Sequence, residues 1–176
     1  MAIYFSKANE KVKLISDNFN LNNLKKMTIY GGIKEPIKRM TFINAGNHTI
    51  YYSFNKYDNN NSSMNNCGYM FSGIENLLYA HFSYLTNYLP NVKCIGMFNN
   101  CINLKETSFV FLAKSKYNCH DSLDYMFNNC ISLNSLKIVT DRDIYIFGST
   151  KYMFNNCTSL KSKDLSKIHF FNCSIF

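Results

Sequence analysis

The chain has little of what interrupts regular structure: 7 glycines and 2 prolines in 176 residues. That scarcity disfavours a loop-rich fold and favours a continuous packed array. No stretch approaches the roughly 18 apolar residues a membrane span needs, so no transmembrane helix is expected. The opening MAIYFSKANEKVKL has neither an apolar core behind a basic end nor a small-residue cleavage site. No secretory signal is read there, and the expected location before any assembly is cytoplasmic. The seven cysteines contain no C-x-x-C pair, the close ligand spacing a structural zinc site uses, so no metal is expected. The glycines form neither G-x-G-x-x-G nor G-x-x-x-x-G-K, which removes the usual nucleotide cradle. No cofactor is expected, and the reading is not an enzyme.

What is present is apolar and aromatic. Hydrophobic residues make up 47% and aromatic residues 16%, with 13 Tyr and 15 Phe, enough for a sizeable core in a chain of this length. The net charge is +8, but no basic run is longer than Lys25-Lys26 or Lys38-Arg39. The charge therefore reads first as solubility, with a basic nucleic-acid-binding protein kept as the alternative function.

The strongest signal is internal repetition. MFNNC stands at 97–101, 126–130 and 153–157, and Met-Phe pairs begin at residues 70, 97, 126 and 153, so successive units are 27, 29 and 27 residues apart. Leu123, Met126, Phe127 and Cys130 lie at i, i+3, i+4 and i+7, the spacing of one face of a two-turn helix. Cys94, Met97, Phe98 and Cys101 repeat it, as do Cys67, Met70, Phe71 and Ile74, and Thr150, Met153, Phe154 and Cys157. After each predicted helix, Cys130, Leu133, Leu136 and Ile138 and their equivalents close on the two-residue alternation of a short strand. Each unit is read as helix, bend and strand, stacked on its neighbours in a parallel ladder about 4.8 Å apart. Met70, Phe71, Met97, Phe98, Cys101, Met126, Phe127, Cys130, Met153, Phe154 and Cys157 are then the repeated core. The three cysteines in that set read as small buried hydrophobes rather than ligands or nucleophiles.

This pattern, Met-Phe, two small or polar residues, Cys, then x-x-Leu-x-x-Leu-x-hydrophobic, resembles the BspA-like leucine-rich repeats of bacterial surface proteins and some phage proteins. The resemblance implies an α/β solenoid of about four units over residues 67–176. It also implies a non-enzymatic interaction module: an exposed phage virion structural or attachment component, or a bacterial surface adhesin, binding protein or glycan. The expected location is accordingly the virion or cell surface.

Residues 1–66 differ. The runs AIYFS (2–6), KVKLIS (11–16), KMTIY (26–30), KRMTFIN (38–44) and HTIYYSF (48–54) are of β type, with a turn at Gly31-Gly32. They are read as a β-rich cap or attachment segment, with a degenerate repeat over Leu21, Leu24, Met27 and Ile29 as the other reading. The Asn59–Ser63 run is read as a joint. Between the repeated cores, residues 83–93, 112–122 and 139–151 vary, and they carry the candidate binding residues Tyr84, Tyr88, Tyr117, Arg142 and Tyr145. Cys119-His120-Asp121 has catalytic residue types, but adjacent side chains diverge, so it reads as a loop. His48, His81 and His169 read as ordinary strand or surface histidines.

Overall fold

The computed structural model describes residues 1–54, 66–83, 94–111, 117–119, 122–140, 143–163, 166 and 168–171. Thirteen strands follow one another among these residues: β1 (Ala2–Ser6), β2 (Glu10–Lys13), β3 (Leu24–Ile29), β4 (Gly32–Lys34), β5 (Arg39–Phe42), β6 (Gly46–Phe54), β7 (Leu77–Ser83), β8 (Glu106–Phe111), β9 (Tyr117–Cys119), β10 (Ser135–Thr140), β11 (Ile144–Ile146), β12 (Ser162–Lys163) and β13 (Ile168–Phe170). An eight-stranded open sheet has the order β12-β10-β8-β7-β1-β6-β3-β4, and β13-β11-β9 and β2-β5 form two smaller sheets.

The first six strands come from the five β-type runs and the Gly31-Gly32 turn. β3 and β4 are joined by Tyr30 and Gly31, both at positive φ (50° and 78°), the geometry of the two-residue hairpin turn that matches strand twist. β1 pairs antiparallel with β6 on one side and with β7 on the other, so the N-terminal strands and the repeat strands share one sheet. From β7 onward the sheet is parallel: Tyr79, Glu106, Ser135 and Ser162 stand side by side, one from each repeat. Inward positions Ala80, Phe82, Phe109 and Leu136 are buried, whereas Phe5, Tyr51 and Val139 are exposed.

The expectation of a helix-plus-strand solenoid, and with it the BspA-like leucine-rich-repeat resemblance, is overturned. Among the described residues there is no α-helix; the sole helical element is a 3-10 turn, Leu21–Asn23. The sheets are open and mixed rather than curled into a repeat-protein array. The MFNNC stretches are consecutive turns. In the third unit the N–H groups of Met126, Asn128 and Cys130 donate to the carbonyls three residues back, Leu123, Tyr125 and Phe127, each at 3.1 Å. The alternate N–H groups leave the unit altogether: Tyr125 donates to Lys151 O, Phe127 to Met153 O and Asn129 to Asn155 O at 2.9–3.0 Å. An α-helix keeps all these bonds within itself at i to i−4. Here half of them tie one repeat to the next, and each repeat becomes a rung.

Two left-handed residues per rung make this possible. The residue before each Met-Phe pair has φ of 57° (Tyr69), 56° (Gly96), 57° (Tyr125) and 57° (Tyr152), and the residue two beyond each pair's Phe has φ of 68° (Gly73), 61° (Asn100), 59° (Asn129) and 58° (Asn156). Left-handed backbone costs most residues about 1–2 kcal/mol, and Gly and Asn least. The i, i+3, i+4, i+7 pattern misled because two successive four-residue turns bury the same positions as two turns of helix.

The rungs bury a continuous aromatic column. Phe71, Phe98, Phe127 and Phe154 stack with centroids 5.5, 5.4 and 5.6 Å apart and planes within 10°. Phe82 and Phe109 form a second stack, at 5.3 Å, packed edge-on against the first. Such ring pairs contribute about 0.5–1.5 kcal/mol each beyond burial.

A test separates the turn from a helix. Asn129→Ala puts an ordinary side chain at left-handed φ and should lower stability by about 1–2 kcal/mol. Asn129→Gly should cost less in the same denaturant titration. In a helix the order reverses, because Gly is worse than Ala by about 1 kcal/mol.

Candidate binding surface

The turns place their polar side chains in rows. Asn128 Nδ2 donates to Asn99 Oδ1 and Asn155 Nδ2 to Asn128 Oδ1, both at 2.8 Å. A second row runs beside it, Asn129 Nδ2 to Asn100 Oδ1 at 2.7 Å and Asn156 Nδ2 to Asn129 Oδ1 at 3.0 Å. A primary amide has two N–H donors and two acceptor lone pairs, so each amide inside a row keeps one of each for a ligand. In the first rung Ser72 and Gly73 occupy these positions, and the amide rows therefore begin at the second.

The left-handed position before each Met-Phe pair adds aromatic rings. Tyr69, Tyr125 and Tyr152 are 39%, 36% and 38% exposed. Tyr125 and Tyr152 stack at 5.3 Å, and Lys151 Nζ lies 5.1 Å from the Tyr152 ring centre. The second rung has Gly96 here instead, and the ring of Tyr69 leans over it: a Cβ added to Gly96 would meet Tyr69 Cε1 at 2.5 Å. Asp124 braces the row from behind, its Oδ1 accepting from Ser149 Oγ at 2.5 Å and Lys151 N at 2.6 Å.

Behind this face the repeated cysteines do structural work. Cys101 Sγ donates to Phe71 O at 2.9 Å, Cys130 Sγ to Phe98 O at 3.1 Å and Cys157 Sγ to Phe127 O at 3.0 Å. Each thiol thus fills the second lone pair of a carbonyl in the preceding rung whose first takes a turn N–H. Burial pushes the Cys101 and Cys67 thiols up to about 12, and the Cys130 thiol up as well, with the neighbouring cysteines adding to it. Cys67, Cys101 and Cys130 are free thiols, and among the described residues no group of three His, Cys, Asp or Glu could hold a metal.

One cluster has catalytic geometry without access. Ser6 Oγ lies 2.7 Å from His48 Nε2, and the Tyr30 hydroxyl bonds His48 Nδ1 on the other side. Phe42 stacks on the imidazole at 3.8 Å. Ser6 is 0% exposed and its hydroxyl also reaches Asn44 O at 3.5 Å, so no substrate can approach it. His48 is buried, and loss of water lowers its pKa. Deeper in, Tyr4 and Tyr52 share the carbonyl of Leu14 at 2.7 and 3.1 Å, and burial raises both phenols. These are core polar groups satisfied by one another.

The binding residues expected from the sequence are dispersed. Tyr84, Tyr88 and Arg142 lie outside the described residues, as do His120, Asp121 and the 59–63 run. The backbone of Tyr117 pairs with Ile144 in the three-stranded sheet. Tyr145 stacks on His169 at 4.9 Å, beside Phe171, and His169 Nε2 is 3.5 Å from Asp143 Oδ2. On the outer face of the large sheet, His81 Nδ1 lies 2.7 Å from Ser108 Oγ. What the sequence reading passed over is the tyrosine row. Its signal was visible as YMF at 69–71, 125–127 and 152–154. Compared with known proteins, the chain matches no family model, no curated protein and no solved structure.

Two measurements check this chemistry. At pH 8 a thiol reagent, read out by peptide mapping, should leave Cys101 and Cys130 unlabelled in the folded protein and label both in denaturant. Rapid labelling of the native state would contradict the sealed thiols. For His48 the folded pKa lies below the unfolded value of about 6.5, so the unfolded chain binds more protons in that window. Stability should therefore fall as pH drops below about 6.5, with a shallower slope in His48→Gln. The exposed carboxylate of Asp17, bonded by Arg39 and then Lys13 and lowered to about 2, adds its own loss only below about pH 4.

Proposed function

We propose that this protein is a non-enzymatic binding module whose asparagine and tyrosine rows recognise a glycan. The observation that carries the reading is the pair of amide ladders, half-buried at Asn99, Asn128 and Asn129 and exposed at Asn100, Asn155 and Asn156, held in register by the backbone bonds between rungs. A sugar presents donors and acceptors at every hydroxyl. The rows offer free amide N–H groups and oxygens at rung spacing, with phenol hydroxyls and ring edges alongside. Because the amides fix one another, little side-chain freedom is lost on binding, which favours affinity. A rigid polar face of this kind suits display on a virion or cell surface, as a structural or attachment component or an adhesin.

The nucleic-acid alternative requires convergent basic residues. Among the described residues, Lys11, Lys13 and Arg39 lie together on the two-stranded sheet with Lys38 beside them, while Lys25 and Lys26 belong to β3, Lys34 to β4, Lys137 to β10 and Lys151 to the fourth rung. Two members of that one group, Lys13 and Arg39, are engaged with Asp17 and the rest are spread over separate strands, which supports the glycan reading over a phosphate-tracking surface.

A glycan array probed with the purified protein should yield hits that weaken by about tenfold or more in the triple variant Asn99→Ala, Asn128→Ala, Asn155→Ala. These asparagines are not the left-handed ones, so the turns persist. Undiminished binding by the triple variant, or an array with no hits, would sink the proposal.

A further inference from the structure

The amide rows have a repeat length, and that length separates one class of polymer from another. Stacked rings mark the step from rung to rung: 5.3 Å between Tyr125 and Tyr152, and 5.5, 5.4 and 5.6 Å along Phe71, Phe98, Phe127 and Phe154. The asparagines ride on the second, third and fourth of these rungs, two to a rung. Asn128 and Asn129 each use one N–H and one lone pair within their rows and keep one of each. At one end Asn99 and Asn100 keep both N–H groups, and at the other Asn155 and Asn156 keep both lone pairs, among the described residues. Three steps of paired donors and acceptors therefore face outward.

We propose that the two amide rows hold a linear, extended chain of β-1,4-linked pyranoses, one sugar to each rung, an inference that rests on the glycan reading above and narrows it. A chair built from bonds of about 1.5 Å spans about 5 Å from O1 to O4 when both oxygens are equatorial. Such a chain advances by one rung per sugar. An axial linkage bends the chain and takes it out of step within two rungs. Other extended polymers miss the interval: a β-strand advances about 3.3 Å per residue, and about 6.6 Å between side chains on one face. Stacked nucleotides advance about 3.4 Å.

The chemistry of the rows fits the same ligand. Successive β-1,4-linked sugars are flipped, so one edge of the chain shows O2 and O3 of one sugar and then the hydroxymethyl oxygen of the next. Each of these hydroxyls both donates and accepts, and an amide with a spare N–H and a spare lone pair meets either kind. Asp124 and Lys151, the latter 5.1 Å from the Tyr152 ring centre, supply one charge of each sign beside the tyrosine row. That balance suits an uncharged chain.

Calorimetric titration of the full-length protein tests the inference. The probes are β-1,4-linked oligosaccharides of glucose and of N-acetylglucosamine, one to five sugars long, with α-1,4-linked glucose oligosaccharides as the comparison. For a β-linked series, affinity should rise about fivefold with each sugar up to three and then level off. It should change little with salt, and the α-linked series should bind no better than a single glucose. The double variant Asn99→Ala, Asn100→Gly removes the amides of one end rung and leaves a residue that tolerates left-handed backbone at 100. Its plateau should move from three sugars to two. Equal or tighter binding of the α-linked series, no gain beyond one sugar, or a plateau unmoved in the variant would overturn this inference and leave the glycan reading standing. Failure of these probes and of every glycan on the array would overturn both.

Discussion

Half of the N–H groups in the MFNNC turns at 97–101 and 126–130 point out of the turn and into the next repeat, and the rest of the molecule follows from that division. Once Phe98 and Phe127 donate to the carbonyls of Met126 and Met153, adjacent repeats are held at hydrogen-bonding distance, and every equivalent side chain meets its copy. The phenylalanines stack, the cysteine thiols reach the previous Phe carbonyl, and the asparagine amides close into rows. None of these contacts could form if the turn kept its hydrogen bonds to itself. The repetition of five residues is thus the repetition of one bonding geometry.

That geometry also explains the residue types. Asparagine serves twice in each of the second to fourth rungs, once at a left-handed position that few side chains tolerate and once in the amide rows. Cysteine is small enough for the tight interior and still carries a donor, which Ala or Val would lack. Its chemistry is suppressed by the burial that makes it useful. Tyrosine at φ near 57° is the less comfortable choice, and its backbone is held there from both sides: Tyr125 N–H reaches Lys151 O while Tyr125 O accepts from Asn128. What it gains is a ring on the outer face, stacked on the next.

The N-terminal strands solve a different problem. A stack of rungs exposes unpaired backbone at each end and at the edge of its sheet. β1 covers the free edge of β7 by antiparallel pairing and carries the sheet onward to β6, β3 and β4. Ser16 meets the carbonyl end of the turns, and the buried Tyr4–Tyr52 pair on Leu14 O satisfies the polar groups that this junction encloses. Ser6 and His48, buried on the neighbouring strands β1 and β6, are satisfied by each other and by the Tyr30 hydroxyl from the β3–β4 turn.

The sequence by itself determined which residues face inward and how often the pattern recurs. Met126, Phe127 and Cys130 are where their spacing puts them, the period of 27 to 29 residues reappears as strands paired in register, and the β-type runs before residue 55 became strands. It did not determine whether the inward residues sat on a helix or on turns. Both conformations bury i, i+3, i+4 and i+7, and they differ only in whether an N–H finds its carbonyl four residues back or one repeat away. That is a long-range choice, made when the rungs stack, and local spacing carries no trace of it. The binding face was hidden for the same reason: a lone Asn or Tyr is unremarkable in an Asn- and Tyr-rich chain, and becomes a row only when tertiary contact aligns it with its copies.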